Sequence, residues 1–159
     1  MNNIIISQAT LAIAILTTGV VYGTDMFYAV VMRKANALSR DNSIADQTGH
    51  THLVADKRMA VIGITSVIST TLCVVLNFQH AYMAYLSGAA LLMLLAHLGL
   101  YTIVAKPINK IMSDAAVNNI VPLNIRALQN RWDSVIVHRA VLLTVAMVLL
   151  IIATMVCTK

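Results

Sequence analysis

Four long apolar stretches, Ile4–Met32, Met59–Phe78, Ala81–Ala105 and Val135–Cys157, take up most of this 159-residue chain and leave it few ways to fold. Each meets or exceeds the ~20 residues an α-helix needs to cross about 30 Å of hydrocarbon. Only helices and closed barrels satisfy the backbone in lipid, and these runs lack the alternation of barrel strands. Composition agrees, with 59% of residues hydrophobic and 11% charged, where a soluble domain carries about 25% charged residues. The sequence predicts an all-α integral membrane four-helix bundle forming one domain over residues 1–159. Its helices are expected at about 4–32, 51–78, 82–105 and 135–157, with two cytoplasmic loops.

The first stretch does not resemble a cleaved signal, because Met1–Ser7 carries no Lys or Arg and the apolar run is far longer than a signal core. It reads as a permanent helix. Cys73 in the second stretch and Cys157 at the end of the fourth show no disulfide, CxxC or zinc spacing, so both are expected to pack as small hydrophobes.

The segments between the helices are a hairpin around Gln79–Ala81 and loops at Arg33–Arg58 and Lys106–Ser134. Arg33, Lys34, Arg40, Lys57, Arg58, Lys106, Lys110, Arg126, Arg131 and Arg139 lie in the two loops or at the adjacent helix ends, and only Lys159 falls opposite. The positive-inside rule makes the loop side cytoplasmic and both termini external, as for a bacterial inner-membrane protein. The formal charge of +5 thus follows from topology and needs no nucleic-acid partner. Pro107 is expected to stop the third helix after Ala105, since proline lacks a donor and restricts the preceding residue. Between Pro107 and Pro122, Ile108–Asn118 reads as a short interfacial helix with Ile111, Met112 and Ala115 on one side. Gly19 and Gly23, or Gly88 with Ala89 and Ala90, offer small-residue contacts for a homo-oligomer.

Asp25 is the only charged residue among the first thirty-two. An acid at the bilayer centre costs roughly 2.5–3.5 kcal/mol on insertion scales, so it is expected to face a protein interior or a wet cavity. Asp25 lies eight residues before Arg33, and His97 lies eight before Ala105; both then sit about 12 Å below the same surface and can meet if their faces agree. Tyr22 and Tyr101 share those faces by three- and four-residue spacing. If instead the first helix ends near Gly23, Asp25 reaches only the headgroups. His52 and Asp56 share a face if the second helix begins near Thr51, and a carboxylate can fix the tautomer of such a histidine. His50 precedes that pair, and His138 begins the fourth helix beside Arg139. Trp132 and Arg139 also suit interfacial anchoring, and His80 in the external hairpin reads as a surface residue. The chain has no glutamate and no HExxH, CxxCH, phosphate-loop or dinucleotide motif.

The stretches Lys106-Pro-Ile-Asn109, Val121-Pro-Leu-Asn124 and Arg131-Trp-Asp-Ser-Val-Ile-Val-His-Arg139, the last running into an apolar helix, resemble the DUF1772 or anthrone oxygenase-like membrane family. The resemblance covers Lys106–Lys159, and Gly49–Arg58 matches no motif of that family. It implies a small four-helix membrane protein, some of whose relatives oxidise anthrones with dioxygen. Asn109, Asn124, Trp132 and Arg139 carry over as residues of the shared pattern, although turn chemistry also explains an asparagine two places after proline.

Three readings follow. The first is an oxidoreductase acting on a lipophilic aromatic or quinol, with His97 and Asp25 as the base pair and His52 and His138 as further acid–base groups. Tyr22, Tyr101, Trp132, Arg139, Asn109 and Asn124 then contact substrate; no metal or cofactor is required. The second is a haem b protein with ligands drawn from His52, His97 and His138. The third is a non-catalytic subunit or transporter component, which at this size requires oligomerisation.

Overall fold

The computed structural model describes residues 2–157, with side chains for 4–156; the side chain of Cys157 and all of Lys159 lie outside the described residues. Four helices long and apolar enough to cross a membrane account for nearly all of it: α1 Ile4–Leu38, α2 Asp41–Leu76, α3 Ala81–Val117 and α4 Ile125–Val156. The protein is an all-α, integral membrane four-helix bundle. Each helix packs against its sequence neighbours, and α4 closes the ring against α1.

The helices run well past the apolar stretches. At 32–37 residues each is about 50 Å long, against about 30 Å of hydrocarbon, so the basic ends project beyond it. Both loop-side connections are correspondingly shorter than the sequence suggests. The turn between α1 and α2 is reduced to Ser39 and Arg40, both extended. Arg126 holds this turn: its Nε lies 2.6 Å from Asp41 Oδ1 and its Nη1 donates to Asn36 O at 3.1 Å, while Nη2 donates to Ser39 O.

Pro107 does not stop the third helix. The helix passes through it behind a π-helical turn, Tyr101–Ala105, where the Lys106 N–H bonds to Tyr101 O. Proline lacks the N–H for an intrahelical bond and clashes with the carbonyl four residues back; here that residue, Ile103, lies within the widened turn. The stop comes at Asn118-Asn119. Asn119 adopts φ 55°, and the Ile120 N–H bonds to Ala115 O while the Asn119 N–H bonds to Ala116 O, a Schellman cap. The expected interfacial helix is therefore the last part of α3, and its buried face is Ile108, Met112 and Ala116; Ile111 is exposed and Ala115 half-buried. That face packs on the start of α2, where a Cβ on Gly49 would lie 2.4 Å from Met112 O, so only glycine permits the approach. α1 carries a matching π turn at Tyr28–Met32, closed by the Arg33 N–H on Tyr28 O.

Two apolar cores stack along the bundle. The terminus-side core is built on Leu11, Ala14, Cys73, Met83, Ala90, Leu143 and Leu150. Four of its polar residues pair across helices: Thr18 with Ser66 at 2.6 Å, and Ser7 Oγ donating to Asn77 at 2.9 Å. The loop-side core is built on Ile44, Ala105, Ile108, Met112, Ile125, Trp132 and Ile136.

Candidate functional site

Between the cores lies a cavity of about 430 Å³. Val21, Leu94 and Leu143 border it on the terminus side, and Trp132 borders it on the loop side. Its wall is mostly apolar, and its polar groups fall into two clusters.

The first is charged. Asp25, 4% exposed, projects inward from α1. Its Oδ2 lies 3.0 Å from His97 Nε2, and its Oδ1 accepts from Arg139 Nη2 at 2.9 Å. Three helices thus meet on one carboxylate, and the His97 contact crosses the diagonal of the bundle. Arg139 Nε also approaches His97 Nε2, at 3.3 Å. One ring nitrogen cannot donate to the acid and accept from the guanidinium at once. A carboxylate paired with an arginine calls for a donor on its other oxygen, so the proton belongs on Nε2. Nδ1 is then the basic nitrogen, and it makes no hydrogen bond among the described residues.

The second cluster is neutral apart from one acid. Asp56 Oδ1 accepts from the Tyr101 hydroxyl at 3.0 Å and from Asn109 Nδ2 at 2.8 Å. Asn109 Oδ1 accepts in turn from Trp132 Nε1 at 2.8 Å, which fixes the amide orientation. The clusters touch where the Arg139 guanidinium lies 5.5 Å from the centroid of the Tyr101 ring, a cation–π distance. Tyr28 and His52 complete the loop-side wall, each with its ring centroid 5.3 Å from that of Trp132.

Of the residues singled out in the sequence, Asp25, His97, His52, Tyr101, Trp132, Arg139 and Asn109 all line this cavity. The alternative that left Asp25 at the headgroups is not what the fold shows. Three others lie elsewhere. Tyr22 turns away from Asp25 and packs on the terminus-side core, because three residues back along the helix leads to a neighbouring, not identical, direction. His138 is exposed, its Nδ1 2.9 Å from Ser134 O one turn earlier. Asn124 is exposed at the head of α4, where its carbonyl accepts the Leu128 N–H.

The expected His52–Asp56 pairing does not form. Asp56 is taken by Tyr101 and Asn109, and His52 Nε2 is buried with no hydrogen-bond partner. Exposed His50 instead bonds to Asp46, through its backbone carbonyl and carboxylate. Tyr28 was not anticipated, although the three-residue rule applied forward from Asp25 reaches it.

Among the described residues, no group of three or more His, Cys, Asp or Glu could hold a metal ion. Of the three histidines expected as haem ligands, His52 and His97 line the cavity and His138 lies outside it. What the arrangement can do is hold an apolar molecule against a base whose tautomer is fixed by an acid. No protein-family model, curated protein or solved structure matches the chain.

Proposed function

We propose that this chain is a membrane oxidoreductase, like the anthrone oxygenases that its fourth-helix motif resembles, and that it binds a flat lipophilic phenol, anthrone or quinol in the cavity. The observation that carries the reading is the buried Asp25–His97–Arg139 cluster set in an otherwise apolar cavity. Such a site desolvates its ligand and offers it one oriented base.

His97 Nδ1 takes the substrate's acidic proton. Asp25 stabilises the imidazolium so formed, and Arg139 balances the added negative charge. The substrate anion is electron-rich enough to react with dioxygen, the co-reactant. For an anthrone, the carbanion adds dioxygen, the resulting hydroperoxide takes its proton from His97, and loss of water leaves the ketone. One CH₂ and one O₂ thus become one C=O and one H₂O. In this reading the basic end of the bundle faces the cytoplasm of a bacterial cell, following the positive-inside rule.

Oxygen uptake by the purified protein with anthrone and quinol substrates tests the assignment. His97→Ala and Asp25→Asn are expected to lower the rate by roughly 10²–10⁴-fold. Unchanged rates in both variants would remove the base pair from the mechanism.

A further inference from the structure

The terminus-side end of the cavity is closed by packed side chains, with Leu94 4% and Leu143 1% exposed. The flank between α2 and α3 is different. On α2, Ala60, Gly63, Ile64, Val67 and Ile68 line the cavity at three- and four-residue spacing, and so form one stripe. Leu94, His97, Leu98, Tyr101 and Thr102 form the facing stripe on α3. Five of these lining residues are also open to the outside: Ala60, Thr102, Ile64 at 59%, Ile68 at 55% and Leu98 at 42%.

A side chain that lines a cavity and also faces outward marks the cavity's mouth. This mouth lies within the apolar spans, flanked by the exposed hydrophobics Val61, Leu72 and Leu95. Gly63 stands at its edge, and a Cβ built there meets nothing within 4 Å. The glycine is therefore not serving close helix contact; it leaves the gap clear.

We propose that the cavity is filled sideways from the bilayer, through the gap between α2 and α3 bordered by Gly63, Ile64, Ile68 and Leu98, and that its occupant is a small apolar molecule dissolved in the lipid. An apolar ligand concentrates in the hydrocarbon, and this route takes it to His97 without crossing water. The slot continues along α3 to Lys106, which is exposed at the basic surface and also lines the cavity. A water-facing entrance there is the competing route. The proposal uses the cavity of the preceding reading but none of its chemistry.

Trp132 is the only tryptophan of the chain and lines the cavity, so its fluorescence reports occupancy. In phospholipid vesicles, a membrane-partitioning alkyl benzoquinone is expected to quench Trp132 strongly, and aqueous iodide weakly. Gly63→Phe, which fills the gap, is expected to reduce quinone quenching several-fold. Gly88→Phe, at an α3 glycine with open space around it and outside the cavity lining, is expected to leave quenching unchanged. Leu98→Phe provides a second plug should Gly63→Phe fold poorly. Quinone quenching unaltered by either plug, or iodide quenching as efficient as that of quinone, would overturn the lateral route. His97→Ala separates the two ideas: if it keeps its oxygen uptake while Gly63→Phe blocks quenching, the base assignment fails and the portal stands.

Discussion

Asp25 and Asp56 line the same cavity, yet they are held by opposite means. Asp25 is bound by a guanidinium and an imidazole, both of which can carry charge. Asp56 accepts from a phenol and an amide, which are neutral donors. The contrast separates a cluster of groups that can carry charge from one of mostly neutral donors that fixes shape. Asn109 and Trp132 extend the second cluster into the loop-side core, so it anchors the cavity wall to packed structure. The Asp25 cluster has no such extension, and its free capacity faces the cavity.

If this distinction holds, removing the cation beside Asp25 should have the largest effect. Arg139→Leu leaves a buried carboxylate without its main counter-charge; breaking a buried pair in this way costs about 3–5 kcal/mol. Thermal unfolding in detergent should show this loss, and the Arg139→Leu/Asp25→Leu double variant should recover much of it. If the single variant proves as stable as wild type, Asp25 is not held as a buried charge.

At Gly49, where α2 meets the end of α3, added volume has nowhere to go. Gly49→Ala would drive its Cβ against the Met112 carbonyl and is expected to cost about 1–3 kcal/mol in the same measurement. This variant tests the shape-fixing side alone, since Gly49 is not among the residues lining the cavity.

A smaller effect is expected at the neutral cluster. Asp56→Asn keeps an oxygen for Tyr101 and Asn109 but loses the charge on these bonds; a net loss of about 1 kcal/mol should follow, with the oxygen-uptake rate much less affected than in Asp25→Asn. Equal losses of rate in the two variants would dissolve the comparison. The smallest effect belongs to His138→Ala. Its ring is exposed and lies outside the cavity, so stability should change by within about 0.5 kcal/mol and activity should not change.

The meeting of Asp25 with His97 was legible in the sequence because depth along a helix follows from counting residues at a fixed rise. Both residues could be placed near one level without any knowledge of packing. Which way a side chain faces is harder. Tyr22 and Tyr28 stand at the same distance from Asp25 in the chain, on either side of it, and only Tyr28 reaches the cavity. The pairing of His52 with Asp56 met the four-residue rule but lost to Tyr101 and Asn109, donors brought from another helix. Local spacing carries no knowledge of such competitors.

The sequence by itself determined the four spans and the gathering of ionisable groups toward one end, because hydrocarbon thickness and the cost of charge in lipid act on each segment separately. It did not determine where the helices stop. Pro107 reads as a break, and the chain crosses it because a π turn accommodates the missing donor. Nor did it determine that Arg139 completes the Asp25 site, since its alternative, snorkelling to the interface, satisfies the same local rules. Those choices belong to the tertiary structure, where a buried charge takes whichever partner the packing of the other three helices brings within hydrogen-bond reach.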